Sequence, residues 1–237
     1  MLHQAIDQGV NYIDTAYPYH ARDFSQAGLS EPFLAKALKN GYREKVYLAT
    51  KLPCWLVEAP EDLERFLDEQ LARLETETID FYLLHSLSVV NWEKMKAFGA
   101  LEFLNKAIKD GKIRYAGFSF HDEIDLFKEI VDAYDWSMCQ IMYNYYDEDF
   151  QAGREGLEYA ASRNIPVVAM EPLRGGALVN GLPREARQVL KAAAPVRSAV
   201  EWALGWLWNH PSVSVVLSGM SHMDHVNENL ALAGNFS

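Results

Sequence analysis

The chain is 237 residues long, 49% of them hydrophobic, and carries a formal net charge of −11. That length can bury one sizeable core, so a single domain over residues 1–237 is expected; the acidity speaks against a nucleic-acid partner, whose affinity rests on Lys and Arg neutralising phosphates. The two cysteines, Cys54 and Cys139, sit in no ligand spacing, MLHQAIDQG has no signal-peptide pattern, and no apolar run nears the roughly 18 residues of a membrane span, so a reduced, cytoplasmic protein with no membrane partner is expected.

Short runs rich in Val, Ile, Tyr and Phe alternate with longer amphipathic segments, the pattern of repeated βα units around a parallel sheet. A helix over Leu2–Gln8 comes first, then a strand over Asn11–Asp14, a helix over Glu31–Leu38 and a strand over Val46–Lys51. Pro60 followed by Glu61 and Asp62 opens a helix that runs to Leu74, and its EDLERFLDEQ stretch reads as a solvated face laced with ion pairs. Strand Ile79–His85 and helix Trp92–Lys109 follow, the helix ended by Asp110-Gly111. Next come strand Ile113–Phe118, helix Glu123–Tyr134, strand Met138–Met142, helix Gly153–Ser162 and strand Val167–Met170. Helix Val196–Trp208, with Trp202 and Trp206 facing the core, strand Val213–Leu217 and a helix over His222–Ala233 complete the chain. Seven strands are one short of a closed (β/α)8 barrel, whose closure leaves no unpaired edge. Either the sheet is open or its first strand lies upstream of Met1; the second is favoured, so the fold expected is α/β, a TIM-type (β/α)8 barrel lacking its first strand in this chain.

Three of these strands end on titratable side chains: Asp14 after GVNYI, Lys51 after KVYLAT and His85 after IDFYLL. On βα-repeat folds the chemistry sits at the carboxyl ends of strands. With Tyr19 in the loop DTAYPYH they make sense as a carbonyl-reducing set. Reduction needs a hydride at carbon and a proton at the oxygen where negative charge develops. Tyr19 can donate the proton if the Lys51 ammonium stabilises the phenolate left behind, Asp14 keeps Lys51 charged and in place, and His85 hydrogen-bonds the carbonyl oxygen. No side chain supplies hydride, so a nicotinamide cofactor is implied. Two rival readings stand beside this one. A barrel metallohydrolase could use His85, His121, Asp14 and Lys51, but the sequence lacks an HxH pair. A non-catalytic nucleotide-binding or regulatory subunit would have little use for all four residues.

The order Asp, Tyr five residues on, Lys, then His resembles the aldo-keto reductase family, over nearly the whole chain; the family's spacing selects Tyr19 over Tyr17. Segments such as DGKIRYAGFSFH, CQIMYNYYDED and MEPLRGG are similar to the subgroup that carries a C-terminal region for 4Fe-4S clusters, although no iron-sulfur ligand set lies in this chain. The resemblance implies a barrel that binds NADP(H) or NAD(H) across its strand ends and reduces a small carbonyl substrate.

It also implies the cofactor positions. Ser119 and Gln140 match the residues that hold the nicotinamide carboxamide; Phe120 stands where the family often has Asn, and Met170 stands where an aromatic ring usually stacks. Pro172, Leu173, Arg174 and Gly175 match a pyrophosphate loop. Ser218, Gly219, Met220 and Ser221 form the small-residue turn at the adenosine end, with Glu228 and Asn229 for adenine. His222 and His225 are the only basic candidates for a 2′-phosphate there. Trp55, Phe120 and His121, in loops after strands, are expected to line the substrate pocket.

Overall fold

The computed structural model describes residues 1–235; residues 236 and 237, the last of the expected domain span, lie outside the described residues. The chain divides into two compact units, Met1–Cys139 and Gln140–Ser237.

In the first unit four parallel strands lie side by side in chain order: β1 (Tyr12–Asp14), β2 (Tyr47–Leu52), β3 (Ile79–Leu87) and β4 (Ile113–Phe120). Helices intervene, as a parallel crossover requires: α2 (Ser30–Ala37), α3 (Glu61–Leu74), and the pair α4 (Val89–Ala97) and α5 (Ala100–Lys109). The short α1 (Leu2–Asp7) precedes β1, and α6 (Ile124–Ala133) follows β4. β2 is buried along both faces after its first residue, as parallel strands covered on both sides are. Its helix layer is aromatic near β4, where the Phe118 ring lies 5.0 Å from Trp136 and 5.8 Å from Phe127.

Strand register decides which side chains meet. Asp14 pairs with Ala49, and Lys51, two residues on, shares Ala49's face of the pleat. Lys51 in turn pairs with Leu83, two residues before His85. One face at the carboxyl ends therefore receives all three side chains. A bulge sits just there: Leu84 pairs with Phe118 but Leu87 with Phe120, and Ser86 between them has φ of 55°. Its N–H, lost to the ladder, donates to the Ser119 Oγ at 2.8 Å. Such bulges re-aim strand-end residues beside active sites.

β5 (Met138–Met142) runs from the first unit into the second, where β6 (Val167–Met170) and β7 (Val213–Val216) pair in parallel. The second unit's helices are α7 (Gly153–Ser162), α8 (Ala177–Asn180), α9 (Arg184–Ala192), α10 (Ala199–Trp208) and α11 (Met223–Asn235). α10 buries Ala203, Leu204 and Leu207, while Trp202 and Trp206, expected in the core, are half-buried. Among the described residues no helix is long and apolar enough to cross a membrane.

Two departures from the sequence expectation have plain causes. The helix expected over Trp92–Lys109 is two helices, because Gly99 takes a φ of 71° that breaks the run, and the first of them starts earlier, where the Ser88 Oγ accepts from the Asn91 N–H. Helices α8 and α9 were not expected; α9 buries none of its residues, so no core contact marks it out.

Candidate active site

Lys51 is completely buried, a costly place for an ammonium unless its hydrogens are all matched. They are. The Nζ lies 2.7 Å from both Asp14 carboxylate oxygens, 2.8 Å from the Thr15 carbonyl oxygen and 3.4 Å from the Tyr19 hydroxyl. Burial works against the charged lysine, but the Asp14 carboxylate and the Tyr19 hydroxyl outweigh it and hold Lys51 above its ordinary pKa. Burial pushes the Asp14 carboxyl up, and Lys51 opposes that. The ammonium is thus fixed in charge and in direction, facing the one hydroxyl of the group that remains partly open to solvent.

His85 stands beside them, its ring 6.0 Å from the Tyr19 ring at an interplanar angle of 76°. Burial first, then the Lys51 charge and His121, keep its imidazole well below the ordinary histidine pKa, so the ring is neutral. Its Nδ1 is buried with no hydrogen-bond partner. A neutral imidazole offers one N–H to an oxygen without competing for its proton. The linkage sign follows: between the folded value and about 6.5 the unfolded chain binds more protons, so stability present above pH 6.5 is lost as pH falls. Thermal melts should therefore show His85→Gln losing less Tm than the wild type between pH 7 and pH 5; parallel slopes would refute the buried neutral imidazole.

Trp55 and His121 lie close by. The Trp55 ring is 5.1 Å from His85, its Nε1 donates to the Phe24 carbonyl oxygen at 2.8 Å, and His121 is half-buried after β4. Phe120 does not join them. It is fully buried, with its ring 5.2 Å from Phe127 of α6, because β4 runs two residues further than expected and alternation turns Phe120 toward the helix layer.

Ser119 is 1% exposed, and its hydroxyl, which accepts from Ser86, still has its own hydrogen to donate. In the second unit the buried Gln140 gives its Nε2 to the Met170 Sδ at 3.4 Å, while its Oε1 is buried with no partner. Such an orphan acceptor fits an incoming amide N–H. After β6, Glu171, Arg174, Gly175 and Gly176 all take positive φ, beside buried Pro172 and half-buried Leu173. Arg174, expected to face phosphates, lies 3.3 Å from the Asp147 carboxylate with its guanidinium 4.6 Å above the Tyr146 ring. Ser218, Gly219, Met220 and Ser221 lead into α11; the Ser218 Oγ accepts from Asn229 Nδ2 at 2.9 Å, Glu228 accepts from Ser198 at 3.2 Å, and His225 is exposed. Among the described residues no group of three or more His, Cys, Asp or Glu could hold a metal ion. The reading from sequence had missed the Thr15 carbonyl, the buried Glu31 and Gln70, and the half-buried Arg73 behind Lys51. Only Glu31, a carboxylate on the apolar face of a short helix, left a trace in the pattern.

Comparison with known proteins covers nearly the whole chain. The family model described as the aldo/keto reductase family matches residues 1–236. The methylglyoxal reductase YeaE of Escherichia coli is 30% identical, over 98% of this chain and 77% of that protein. Among solved structures, an aldo-keto reductase from Bacillus halodurans in its holo form is 26% identical with a TM-score of 0.79, over 98% of this chain and 78% of that one. An aldo/keto reductase from Klebsiella pneumoniae in complex with NADP and acetate is 25% identical with a TM-score of 0.73, over 98% and 77%. A match running through both units, on a chain that sets an ion-paired lysine against a tyrosine hydroxyl, means that the chain belongs to the aldo/keto reductase family of oxidoreductases.

Proposed function

We propose that the chain reduces aldehyde or ketone carbonyls of small molecules to alcohols, with Tyr19 as the proton donor. The observation that carries this is the Tyr19 hydroxyl at 3.4 Å from an ammonium already committed to Asp14. Lys51, pinned by Asp14 and Thr15, stabilises the phenolate that Tyr19 becomes, and the positive charge stays put because Lys51 is dry and paired. Neutral His85 directs an N–H at the carbonyl oxygen and so orients it toward the Tyr19 hydroxyl. Trp55, leaning on His85, and His121 line the approach of the substrate.

The nicotinamide nucleotide, NADP(H) or NAD(H), supplies the hydride when bound. The residues fit such a group on one structural test, the orphaned Gln140 Oε1, which accepts an amide hydrogen in this reading; Ser119 is assigned to the same carboxamide on the family resemblance alone. Met170, Pro172, Leu173, Arg174 and Gly175 are assigned to the nicotinamide and pyrophosphate, and Ser218 to Ser221, His225, Glu228 and Asn229 to the adenosine end. Arg174 would have to exchange Asp147 for a phosphate. The name of the Escherichia coli relative and the NADP bound to the Klebsiella pneumoniae enzyme support this reading. Kinship with the 4Fe-4S subgroup rests on the sequence segments alone.

The test is a titration of tryptophan fluorescence with NADPH and with NADH on the folded protein. Saturable quenching by at least one is expected, since Trp55 stands 5.1 Å from His85; a folded chain that binds neither would overturn the cofactor assignment.

A further inference from the structure

Beside the tetrad lies a charged group that plays no part in the proton transfer itself. Glu31, in α2, is completely buried. Its Oε1 accepts from Thr50 Oγ1 at 2.8 Å and Gln70 Nε2 at 2.7 Å, and its Oε2 accepts from Arg73 Nε at 2.8 Å. A buried carboxylate of this kind is costly to keep, and an apolar side chain of its size often serves a fold as well or better. What it holds is therefore informative.

Each partner of Glu31 leads to the backbone of a catalytic residue. Gln70 Nε2 also donates to the Lys51 carbonyl oxygen at 3.1 Å, and Gln70 is fixed from behind by the Tyr82 hydroxyl at 2.8 Å. Thr50 is Lys51's chain neighbour. Arg73 Nη2 donates to the Gly28 carbonyl oxygen, and the Gly28 N–H donates to the Tyr17 carbonyl oxygen at 2.8 Å. The two backbones touch so closely there that a Cβ on Gly28 would sit 1.9 Å from the Tyr19 carbonyl oxygen. That same oxygen accepts from the N–H of Ser30, the residue before Glu31, at 3.2 Å. The loop that carries Tyr19 and the strand end that carries Lys51 are thus tied to one anion.

We propose that Glu31 is a positioning residue for the proton transfer: through Arg73 and Gly28 it sets the Tyr19 loop, and through Gln70 it sets Lys51, so that hydroxyl and ammonium face each other. This rests on Tyr19 being the proton donor. Misplacement of about 1 Å can cost on the order of 100-fold in rate without touching the reacting atoms. Glu31→Gln keeps the shape but removes the charge that orients Arg73.

The experiment is steady-state carbonyl reduction with NADPH or NADH by Glu31→Gln, Tyr19→Phe and the double variant, each checked for fold by circular dichroism. Glu31→Gln is expected to lose about 10- to 100-fold in kcat, with KM and nucleotide affinity within about threefold of wild type. In the Tyr19→Phe background the same change should alter the residual rate less than about twofold, since the hydroxyl it places is gone. A folded Glu31→Gln with wild-type kcat, or an equal loss in both backgrounds, overturns the inference while leaving Tyr19's role intact. Full activity in Tyr19→Phe overturns the proton-donor reading and this inference with it. Should Glu31→Gln not fold, Arg73→Gln cuts the same tie from its partly exposed end, with the same two outcomes.

Discussion

Tyr19→Phe is expected to lower carbonyl reduction by about 10²- to 10⁴-fold, the contribution of a positioned general acid, while leaving the fold and nucleotide binding unchanged. The substitution deletes one oxygen and keeps the ring, which the Lys51 Nζ approaches to 4.9 Å of its centroid. The bond removed is the longest of the four that Lys51 makes, and its other partners, Asp14 and Thr15, remain. Stability should therefore change by no more than about 1 kcal/mol, the ordinary worth of one such bond. Steady-state kinetics beside a thermal melt check both halves. A folded Tyr19→Phe that reduces carbonyls at the wild-type rate would sink the assignment.

Lys51→Met should be as damaging to turnover and far more damaging to the fold. Methionine nearly fills the volume but leaves the Asp14 carboxylate without its counter-charge and the Thr15 carbonyl oxygen without its donor. Breaking a buried pair by removing one partner costs about 3–5 kcal/mol, and Asp14, with its side chain only 14% exposed, has little water to turn to. The pH dependence carries a sign. In the wild type Lys51 titrates above its ordinary value, so the pair's contribution is in place at neutral pH and fades only as pH rises through that higher value. In the variant only burial acts on Asp14; its carboxyl then holds a proton more tightly folded than unfolded, and the deficit relative to wild type should shrink as pH falls toward 4. Adding Asp14→Asn should return more than half of the lost stability and none of the activity. Denaturant melts at pH 4.5, 7 and 9 test this; a deficit that grows on acidification would refute it.

The tetrad was legible because it obeys strand-end logic, which leaves residues in order along the chain and needs no knowledge of packing. Register then did what the sequence implied: Asp14, Lys51 and His85 share a face because their strands pair at Ala49 and Leu83. Phe120 could not be read in the same way. Ending the strand at Phe118 made it a loop residue, and only the two extra residues of β4, continued past the bulge at Ser86, turn it into core. The support behind the tetrad was hidden for a different reason. Gln70 and Arg73 lie in a helix whose acidic and basic residues do form the surface pairs expected, Arg65 with Asp62 at 2.7 Å and with Glu69 at 3.9 Å. Composition gives no sign that two members of the same helix turn inward to a carboxylate 39 and 42 positions earlier in the chain. Gly99 likewise stops a helix whose apolar period continues on both sides of it.

The enclosure of Lys51 also has a chemical consequence. With no exposed surface and every hydrogen of its ammonium engaged, it is closed to acylating and reductive-methylating reagents that modify lysines in solution. A folded sample treated with such a reagent keeps this one amine unmodified, so mass-spectrometric occupancy at Lys51 reads the fraction of molecules whose site has come apart.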